Sequence, residues 1–260
     1  MPNQFFLGAL LAFLIAVLSY AFRFLTLSGS VATCLLGCVV FGFGGWQWGV
    51  PIVTFFVLSS MLTRFGRRRK EDAAALFEKS GTRDWGQVVS NGGIAGVLVV
   101  ASSVLPSHDL YPLYLGCVAA VTADTWGTEI GTLSQGRTVS ALTWKPVPPG
   151  TSGGISEMGT LAGVIGAAVI AATGYPWYEA LRTGGMVILA GVAGSFADSV
   201  LGATLQAQFT CVVCGKATER RIHCGVPTQH QRGMLRVNND VVNLLCGLVG
   251  AAVAWGLSFL

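Results

Sequence analysis

Long apolar stretches alternate with polar connections along the chain, and their lengths predict membrane-spanning helices. A run of roughly 20 apolar residues is long enough to cross a bilayer as a helix. Eight stretches meet this description, at 4–22, 29–45, 46–63, 88–105, 110–126, 158–175, 184–205 and 241–260. Only a tight turn at Gly44 and Gly45 separates the second stretch from the third, so seven helices are the alternative. The pattern predicts an all-α, polytopic membrane helical bundle that forms one domain over residues 1–260.

Composition supports an integral membrane protein. Of the 260 residues, 52% are hydrophobic and only 11% are charged, and the mean hydropathy is +0.63. A soluble domain usually carries about 25% charged residues. The 35 glycines suit close helix packing in lipid. The first apolar stretch lacks a basic leader and a small-residue cleavage site, so we expect it to be retained as a helix. No nucleic-acid partner is expected.

The positions of the basic residues predict the orientation in the membrane. The loop at 64–91 opens with five basic residues between positions 64 and 70, which indicates a cytoplasmic location. Eight alternating spans then place both termini outside, and of the sixteen Lys and Arg residues only Arg182 falls outside as well. The long loops at 64–91, 125–157 and 206–240 share the cytoplasmic side. They form the predicted active-site face of a multi-pass protein in the cell membrane, or in a membrane of the thylakoid type.

Acidic residues inside or next to apolar stretches are the strongest candidates for chemistry. Asp124 and Glu129 lie at the inner end of the fifth stretch, Asp198 lies near the end of the seventh, and Asp240 heads the eighth. A charge at membrane depth costs about 2.5–3.5 kcal/mol, which favours a functional role. Carboxylates that converge on one mouth suit Mg²⁺, which keeps several waters and bridges substrate phosphates. Pairing with basic neighbours is the alternative, and for Asp240 so is capping of the helix.

A short echo in the sequence predicts that two of these acids meet. Ala123-Asp124-Thr125 and Ala197-Asp198-Ser199 each precede a glycine, and both stretches run in the same direction through the predicted topology. The two Ala-Asp-hydroxyl units are therefore expected at equal depth, near the cytoplasmic face.

Two further stretches suit phosphate binding. Lys145 precedes a turn rich in glycine and hydroxyl side chains, whose candidates are Gly150, Thr151, Ser152, Gly153, Gly154 and Ser156. Glycines let backbone N–H groups approach an anion, and a helix N-terminus follows. The Gly-Lys-Ser/Thr element of a Walker A motif is absent, and a flexible turn that packs helices is the alternative. Arg83, Gln87 and Asn91 recur every four residues and predict one polar stripe, with a solvated helix face as the alternative.

A cluster of cysteine and histidine residues in the last long loop resembles a compact zinc site. Cys211, Cys214, His223 and Cys224 have types and spacings that suit structural Zn²⁺. A single Cys-x-x-Cys pair is half of the usual signature, so reduced thiols are the alternative.

At these residues the chain resembles an integral-membrane family, long described as a domain of unknown function, that contains the plant and cyanobacterial phytyl-phosphate kinases. The resemblance is carried by RDWGQVVSNGG, TADTWGTEIG, VPPGTSGGISEMGT, FADSVLGATLQ and NNDVVN, from about Arg83 to the end of the chain. The run around Asp198 is also distantly similar to an acidic motif of CTP-dependent dolichol and phytol kinases. Further polar residues of these motifs join the phosphate or nucleotide candidates: Thr128, Ser199, Asn239 and Asn243. The Cys/His loop departs from what we expect of the plant enzymes.

The resemblance implies phosphoryl transfer from a nucleoside triphosphate, with CTP expected, to a membrane isoprenyl monophosphate such as phytyl phosphate. Asp124, Glu129 and Asp198 would hold Mg²⁺, and Lys145 with the glycine-rich turn would hold phosphates. The expected partners are the isoprenyl phosphate, the nucleotide and membrane lipids, with a homo-oligomer as a further option. A prenol kinase, a CTP-dependent cytidylyltransferase acting on a lipid phosphate, and an ion-coupled transporter are the alternatives.

Overall fold

The computed structural model describes residues 2–66, 76–79, 81–134, 136–178 and 180–259. Within these ranges it is a bundle of eight helices, as the apolar pattern predicted. The helices are α1 (Pro2–Ala21), α2 (Leu27–Val39), α3 (Gly45–Arg64), α4 (Trp85–Val104), α5 (Tyr111–Leu133), α6 (Glu157–Tyr178), α7 (Leu181–Thr204) and α8 (Asn239–Leu257). Most of the basic run that follows Arg64, at positions 67–70, lies outside the described residues.

The chain reverses direction between α2 and α3. A short π-helical segment, Val40–Gly44, follows α2, and Gly45 then adopts a φ of 66°, which favours glycine. A Cβ placed at Gly92 would lie 2.4 Å from Leu36 of α2 and 3.6 Å from Ile52 of α3. Helix α2 therefore packs closely against α4, and Ile52 of α3 comes near the same position. Residues 27–64 therefore form two helices, α2 and α3, that the π-helical segment joins into one apolar stretch.

Six stretches of the described chain are long and apolar enough to cross a membrane, one of them the 38-residue stretch that contains α2 and α3. Helix α5 is not among the six. It carries two carboxylates and is enclosed by its neighbours, with every residue from Tyr114 to Ala123 buried. Because α5 has little contact with lipid, its apolarity need not match that of the outer helices.

Small residues bring α6, α7 and α8 close to α5. A Cβ at Gly194 of α7 would lie 2.4 Å from the Cβ of Ala120, and one at Gly250 of α8 would lie 2.4 Å from the carbonyl oxygen of Gly116. Gly163 of α6 approaches the Ala123 carbonyl in the same way. Helices in lipid associate through such close backbone contacts. This packing fixes the position of every polar side chain on α5.

One end of the bundle carries the long connections, and these contain short antiparallel strands that the sequence did not predict. Strand β1 (Thr138–Ser140) pairs with β2 (Gly154–Ser156), β3 (Gln208–Thr210) lies between β4 (Ala217–Thr218) and β7 (Gln229–Arg232), and β5 (Ile222–His223) pairs with β6 (Val226–Pro227). We call this the polar end. The short connection at 105–110 and the start of α7 at Leu181 lie at the opposite end, next to Arg182. That the polar end faces the cytoplasm stays a prediction.

Candidate active site

Two carboxylates meet between α5 and α7. The carboxyl groups of Asp124 and Asp198 interact directly with each other, as the repeated Ala-Asp-hydroxyl unit predicted. The close contact of Gly194 with Ala120 brings the two helices together one turn away. Oδ2 of Asp198 is buried and has no hydrogen-bond partner within the described chain. Two adjacent carboxylates repel when both are ionised, so this pair requires a proton or a cation between its members.

The hydroxyl groups that follow the two aspartates serve their own helices. Thr125 donates to the Val121 carbonyl at 2.8 Å, and Ser199 donates to the Ser195 carbonyl at 3.2 Å. Such bonds one turn back along a helix are common for Ser and Thr. The carboxylates are therefore the groups that this pair of helices offers to a ligand.

Glu129 lies on another side of α5 from Asp124. Five residues separate them, which corresponds to about 140° around a helix axis. Glu129 accepts a hydrogen bond of 2.5 Å from the Thr63 hydroxyl of α3, and its charge acts on the guanidinium of Arg83. The structure therefore does not add Glu129 to the Asp124–Asp198 pair, because the helix points the two side chains toward different neighbours.

Asp240 belongs to a third charged group, above the start of α4. Lys79 contacts Asp240 at 2.5 Å and Asp84 at 2.9 Å. The three side chains sit over Gly86, where a Cβ would lie 2.5 Å from Asp240 Oδ2 and 3.0 Å from Lys79 Nζ. Asn238, rather than Asp240, caps α8 by accepting from the Val241 N–H. The expected convergence of four acids is thus replaced by three separate groups.

The same contacts shift the pKa values of this group. Burial alone would raise the pKa of Asp84, but the Gln87 backbone N–H and Lys79 outweigh it and hold the pKa below its usual value. Burial likewise opposes the charge on Lys79, whose two carboxylate partners nevertheless raise its pKa. All three side chains are partly exposed, so the pairs contribute modestly to stability.

Arg83, Gln87 and Asn91 lie together, as the spacing predicted. All three line a mostly apolar pocket of about 70 Å³ between α1, α2, α3 and α4. Asp84 caps α4 in a capping box with Gln87, and Asn91 donates to the Gln87 carbonyl at 2.9 Å. Arg83 immediately precedes the cap and is 9% exposed.

The glycine-rich turn between β1 and α6 is packed against the end of α7. Gly153 has a φ of 78°, and a Cβ there would lie 2.5 Å from the Ser199 carbonyl oxygen. Ser152 donates to Gln206 Oε1 at 2.8 Å, Thr151 donates to the Pro148 carbonyl, and Ser156 accepts from the Gly159 N–H at the start of α6. These hydroxyls stabilise the turn, and a phosphate contact by it stays a prediction.

The remaining candidates are spread over the polar end. Lys145 and Thr128 are exposed, and the Lys145 ammonium has no hydrogen bond or ion pair with any described residue. Asn239 begins α8 and is half-buried, and Asn243 is buried one turn further along the same helix. None of these four side chains has a contact that assigns it a role.

A second, polar cavity of about 300 Å³ lies between the segment at 76–79 and the last long loop. Glu78, Gln206, Glu219, Arg221 and Arg236 are among the residues that line it. Burial raises the pKa of Glu219 to about 7, although the Glu78 N–H and the Gln206 side chain both favour its charged form. The cavity therefore contains an ionisable carboxyl group, Glu219, whose charge acts on Asp198. The sequence analysis did not predict this cavity.

The cysteine and histidine residues of the last long loop converge. The ligand atoms of Cys211, Cys214, His223 and Cys224 all lie within 4.8 Å of one another. The Cys214 N–H lowers the pKa of Cys211 to about 6, whereas burial and the neighbouring thiols raise the pKa of Cys224 to about 11. Opposite shifts are expected where neighbouring thiols compete for one negative charge.

Comparison with known proteins identifies the family. Residues 10–251 match the family described as integral membrane protein DUF92. The chain belongs to the DUF92 family. It is 31% identical to Protein PGR of Arabidopsis thaliana, over 92% of this chain and 90% of that protein. It is 27% identical to an uncharacterised membrane protein of Methanocaldococcus jannaschii, over 96% and 92% of the two chains.

A more distant DUF92 relative is Protein VTE6, chloroplastic, of Arabidopsis thaliana. The identity is 25%, over 88% of this chain and 64% of that protein. No solved structure matches this DUF92 protein. The family assignment confirms the predicted resemblance and the integral membrane class.

Several residues of this DUF92 site were missed by the sequence reasoning. Asp84 had a readable signal, since Asp-x-x-Gln before an apolar run is the pattern of a capping box. Lys79 and Glu219 had none, because each is an isolated charge in a loop whose partners are distant in sequence.

Proposed function

We propose that this DUF92 protein transfers a phosphoryl group from a nucleoside triphosphate, CTP in our hypothesis, to a membrane isoprenyl monophosphate, giving the diphosphate. The observation that carries the proposal is the Asp124–Asp198 pair at the polar end of a membrane bundle. The resemblance to phytyl-phosphate kinases and the relation to Protein VTE6 support the same reaction class. Acidic pairs that face phosphate-bearing substrates typically act through a divalent cation.

The residues present fit Mg²⁺ at this pair. Mg²⁺ is usually held by one or two carboxylates together with waters and substrate phosphates. Asp124 and Asp198 supply two carboxylates, and the partnerless Oδ2 of Asp198 is the kind of buried atom that a cation would satisfy. When bound, the ion would neutralise charge on the transferring phosphoryl group. Glu129 and Asp240 lie in separate groups, so neither is part of the proposed ligand set.

The protein's own contribution would be positioning and electrostatics. Phosphoryl transfer needs the attacking oxygen and the leaving group in line, with their charge balanced by fixed cations. Lys79, which is partly buried, and Arg83, which is buried, are two described cations at the polar end. An isoprenyl monophosphate presents an oxygen that is already ionised, so no side chain has to remove a proton before attack.

Product analysis tests this proposal against its enzyme alternatives. Purified protein is incubated with Mg²⁺, radiolabelled nucleoside triphosphates and a panel of prenyl monophosphates and free prenols. We expect label from the γ-position of CTP in a prenyl diphosphate. Label in a prenyl monophosphate would establish the prenol kinase instead, and label from the α-position in the lipid would establish the cytidylyltransferase.

The transporter alternative is tested separately in proteoliposomes. The long polar connections gather at one end of the described bundle and only short ones lie at the other, which favours chemistry at one face over passage between two. Ion or substrate flux in the absence of nucleotide turnover would contradict the kinase proposal.

A further inference from the structure

The pocket between α1, α2, α3 and α4 combines an apolar interior with a buried cation at its polar end. Leu36, Val53 and Phe55 contribute to the apolar wall, and the buried Arg83 also lines the pocket. The Arg83 backbone is held on both sides, since its N–H donates to the Phe24 carbonyl and its carbonyl accepts from the Thr26 N–H, each at 3.0 Å. This pairing fixes the side chain at the pocket.

The Arg83 guanidinium has no hydrogen bond or ion pair with any residue in the part of the chain that the structure describes. Its neighbours are the Phe55 ring, at 5.5 Å from its centroid, and the Glu129 carboxylate, which acts at longer range. Burial lowers the pKa of Arg83, and Glu129 only partly opposes this. A buried cation that no described residue pairs with costs free energy, so the site suits an anionic ligand.

Other polar atoms at the same pocket are also unused. The Thr33 hydroxyl is buried and has no partner within the described chain. Gln87 accepts through Oε1 in the capping box, which leaves its amide N–H groups available beside Arg83. Arg83, Thr33 and Gln87 therefore offer donors, and hydrogen-bond donors around a cation suit a phosphate.

We propose that this pocket binds the acceptor, with the isoprenyl chain between the helices and its phosphate on Arg83. The assignment rests on the proposed function for the identity of the lipid. An apolar pocket with a guanidinium in its lining suits a molecule that has a hydrocarbon chain and a single phosphate group. The head group would then lie at the polar end, where the Asp124–Asp198 pair is also found.

Binding without nucleotide tests the proposal independently of turnover. Geranylgeranyl monophosphate, geranyl monophosphate, geranylgeraniol and a phosphatidic acid are titrated into the purified protein and followed by native mass spectrometry. We expect Arg83→Gln to weaken binding of geranylgeranyl monophosphate at least about tenfold and to leave binding of the alcohol unchanged. Arg23→Gln removes an exposed arginine at the same end of the bundle and serves as the matched control.

A second pair of variants tests the location of the hydrocarbon chain. Val53→Phe narrows the pocket, whereas Val57→Phe adds the same bulk one turn away on the same helix, at a position that is 41% exposed. We expect Val53→Phe to weaken the long-chain monophosphate more than the short-chain one. Val57→Phe should weaken neither, so a general disturbance of α3 is distinguished from a filled pocket.

Three results would overturn the assignment. These are equal affinity of the wild type and Arg83→Gln for the long-chain monophosphate, equal effects of Val53→Phe and Val57→Phe, and equal affinity for phosphatidic acid, which would assign the pocket to bulk lipid. Intact, Arg83-dependent binding together with no phosphoryl transfer would contradict the proposed function and leave the pocket assignment standing.

A different observation carries a second proposal, at the converged cysteine and histidine residues. Three thiols and one imidazole within 4.8 Å of one another match the ligand number and type of a structural zinc site. His223 Nδ1 lies 3.3 Å from the Cys224 sulfur and 3.6 Å from the Cys214 sulfur. Cys224 has a positive φ of 52°, a conformation that a non-glycine residue rarely adopts, and its sulfur lies in the cluster.

We infer that Cys211, Cys214, His223 and Cys224 bind one Zn²⁺ and that this ion holds the last long loop against the segment at 76–79. Residues between the two halves of the cluster make the contact. Thr218 donates to the Leu76 carbonyl at 2.8 Å, and the Arg220 guanidinium donates to the Phe77 carbonyl at 2.7 Å. The segment so held delivers Lys79 to its two carboxylates.

Metal analysis with matched cysteine variants tests the zinc proposal. Protein purified from zinc-supplemented cells should contain about one equivalent of zinc. Cys211→Ser and Cys214→Ser should each lose it, whereas Cys34→Ser, which changes a half-buried cysteine of α2, should retain it. Limited proteolysis should cut the loop at 205–238 faster in the zinc-free variants. Less than about a tenth of an equivalent, or another metal in its place, would overturn the assignment.

Discussion

The helices around α5 touch backbone to backbone, whereas α1 to α4 enclose free space. At Gly194 and Gly250 a single added carbon would meet the next helix at 2.4 Å. Between α1 and α4 the chain leaves a pocket of about 70 Å³. The region around α5 holds two carboxylates in fixed positions, as catalysis requires. The region of α1 to α4 has space for a ligand. The tightly packed region and the region with a pocket are thus different parts of one bundle.

Removing either carboxylate of the pair should have the largest effect. We expect Asp124→Asn and Asp198→Asn each to lower phosphoryl transfer at least about 100-fold, because a fixed charge that acts on the transferring group is lost. The protein should still insert and elute as a single species. Asp109→Asn, at the opposite end of the bundle, is the control and should keep full activity. Near-normal turnover in both variants would exclude the pair from catalysis.

Added methyl groups should distinguish the two regions by stability. Gly194→Ala places its Cβ against Ala120 and the Cys246 carbonyl oxygen, neither of which can move freely, and should destabilise the protein by about 1–3 kcal/mol. At Gly96 the nearest atom is the tip of Leu36, at 2.8 Å, and that side chain borders the pocket. Gly96→Ala should therefore cost less.

The control for this comparison is Gly185→Ala, since nothing lies within 4 Å of that position on α7. It should be neutral or stabilise the protein by up to about 1 kcal/mol through helix propensity. Thermal unfolding in detergent, followed by circular dichroism, measures all three variants. Equal losses for Gly194→Ala and Gly96→Ala would contradict the distinction between the two regions.

The polar cavity should give a smaller, pH-dependent effect. In the folded protein burial raises the pKa of Glu219 to about 7, from an ordinary value of 4.5. The folded state therefore binds more protons than the unfolded state between these values, and stability should fall as the pH rises from about 4.5 to 7. Glu219→Gln should remove this slope and gain on the order of 1–2 kcal/mol at pH 8.

Unfolding midpoints measured at several pH values check this prediction. Glu157→Gln, an exposed carboxylate at the start of α6, should leave the slope unchanged. A wild-type stability that stays constant from pH 5 to pH 7 would show that Glu219 is ionised in the folded protein throughout this range.

Much of the fold could be read from the sequence, because hydropathy and span length determine where helices lie in a membrane protein. The meeting of Asp124 with Asp198 could also be predicted, since the two units repeat the same local sequence on helices of the same direction. Glu129 and Asp240 could not be placed, because their neighbours depend on helix rotation and on a loop lysine. The sequence of the glycine-rich turn suited both phosphate binding and helix packing. The contact observed is the packing of Gly153 against α7.

The Lys79–Asp240 pair also sets an order of events during synthesis. The two residues are 161 positions apart, and Asp240 is at the start of the last helix. At translation rates of about 5–20 residues per second, roughly 8 to 30 s pass between the emergence of one partner and that of the other. Until Asp240 emerges, Asp84 is the one of these two carboxylates with which Lys79 can pair. A chain terminated before α8 would lack Asp240 and leave the polar end incomplete, so completion of this pair depends on full translation.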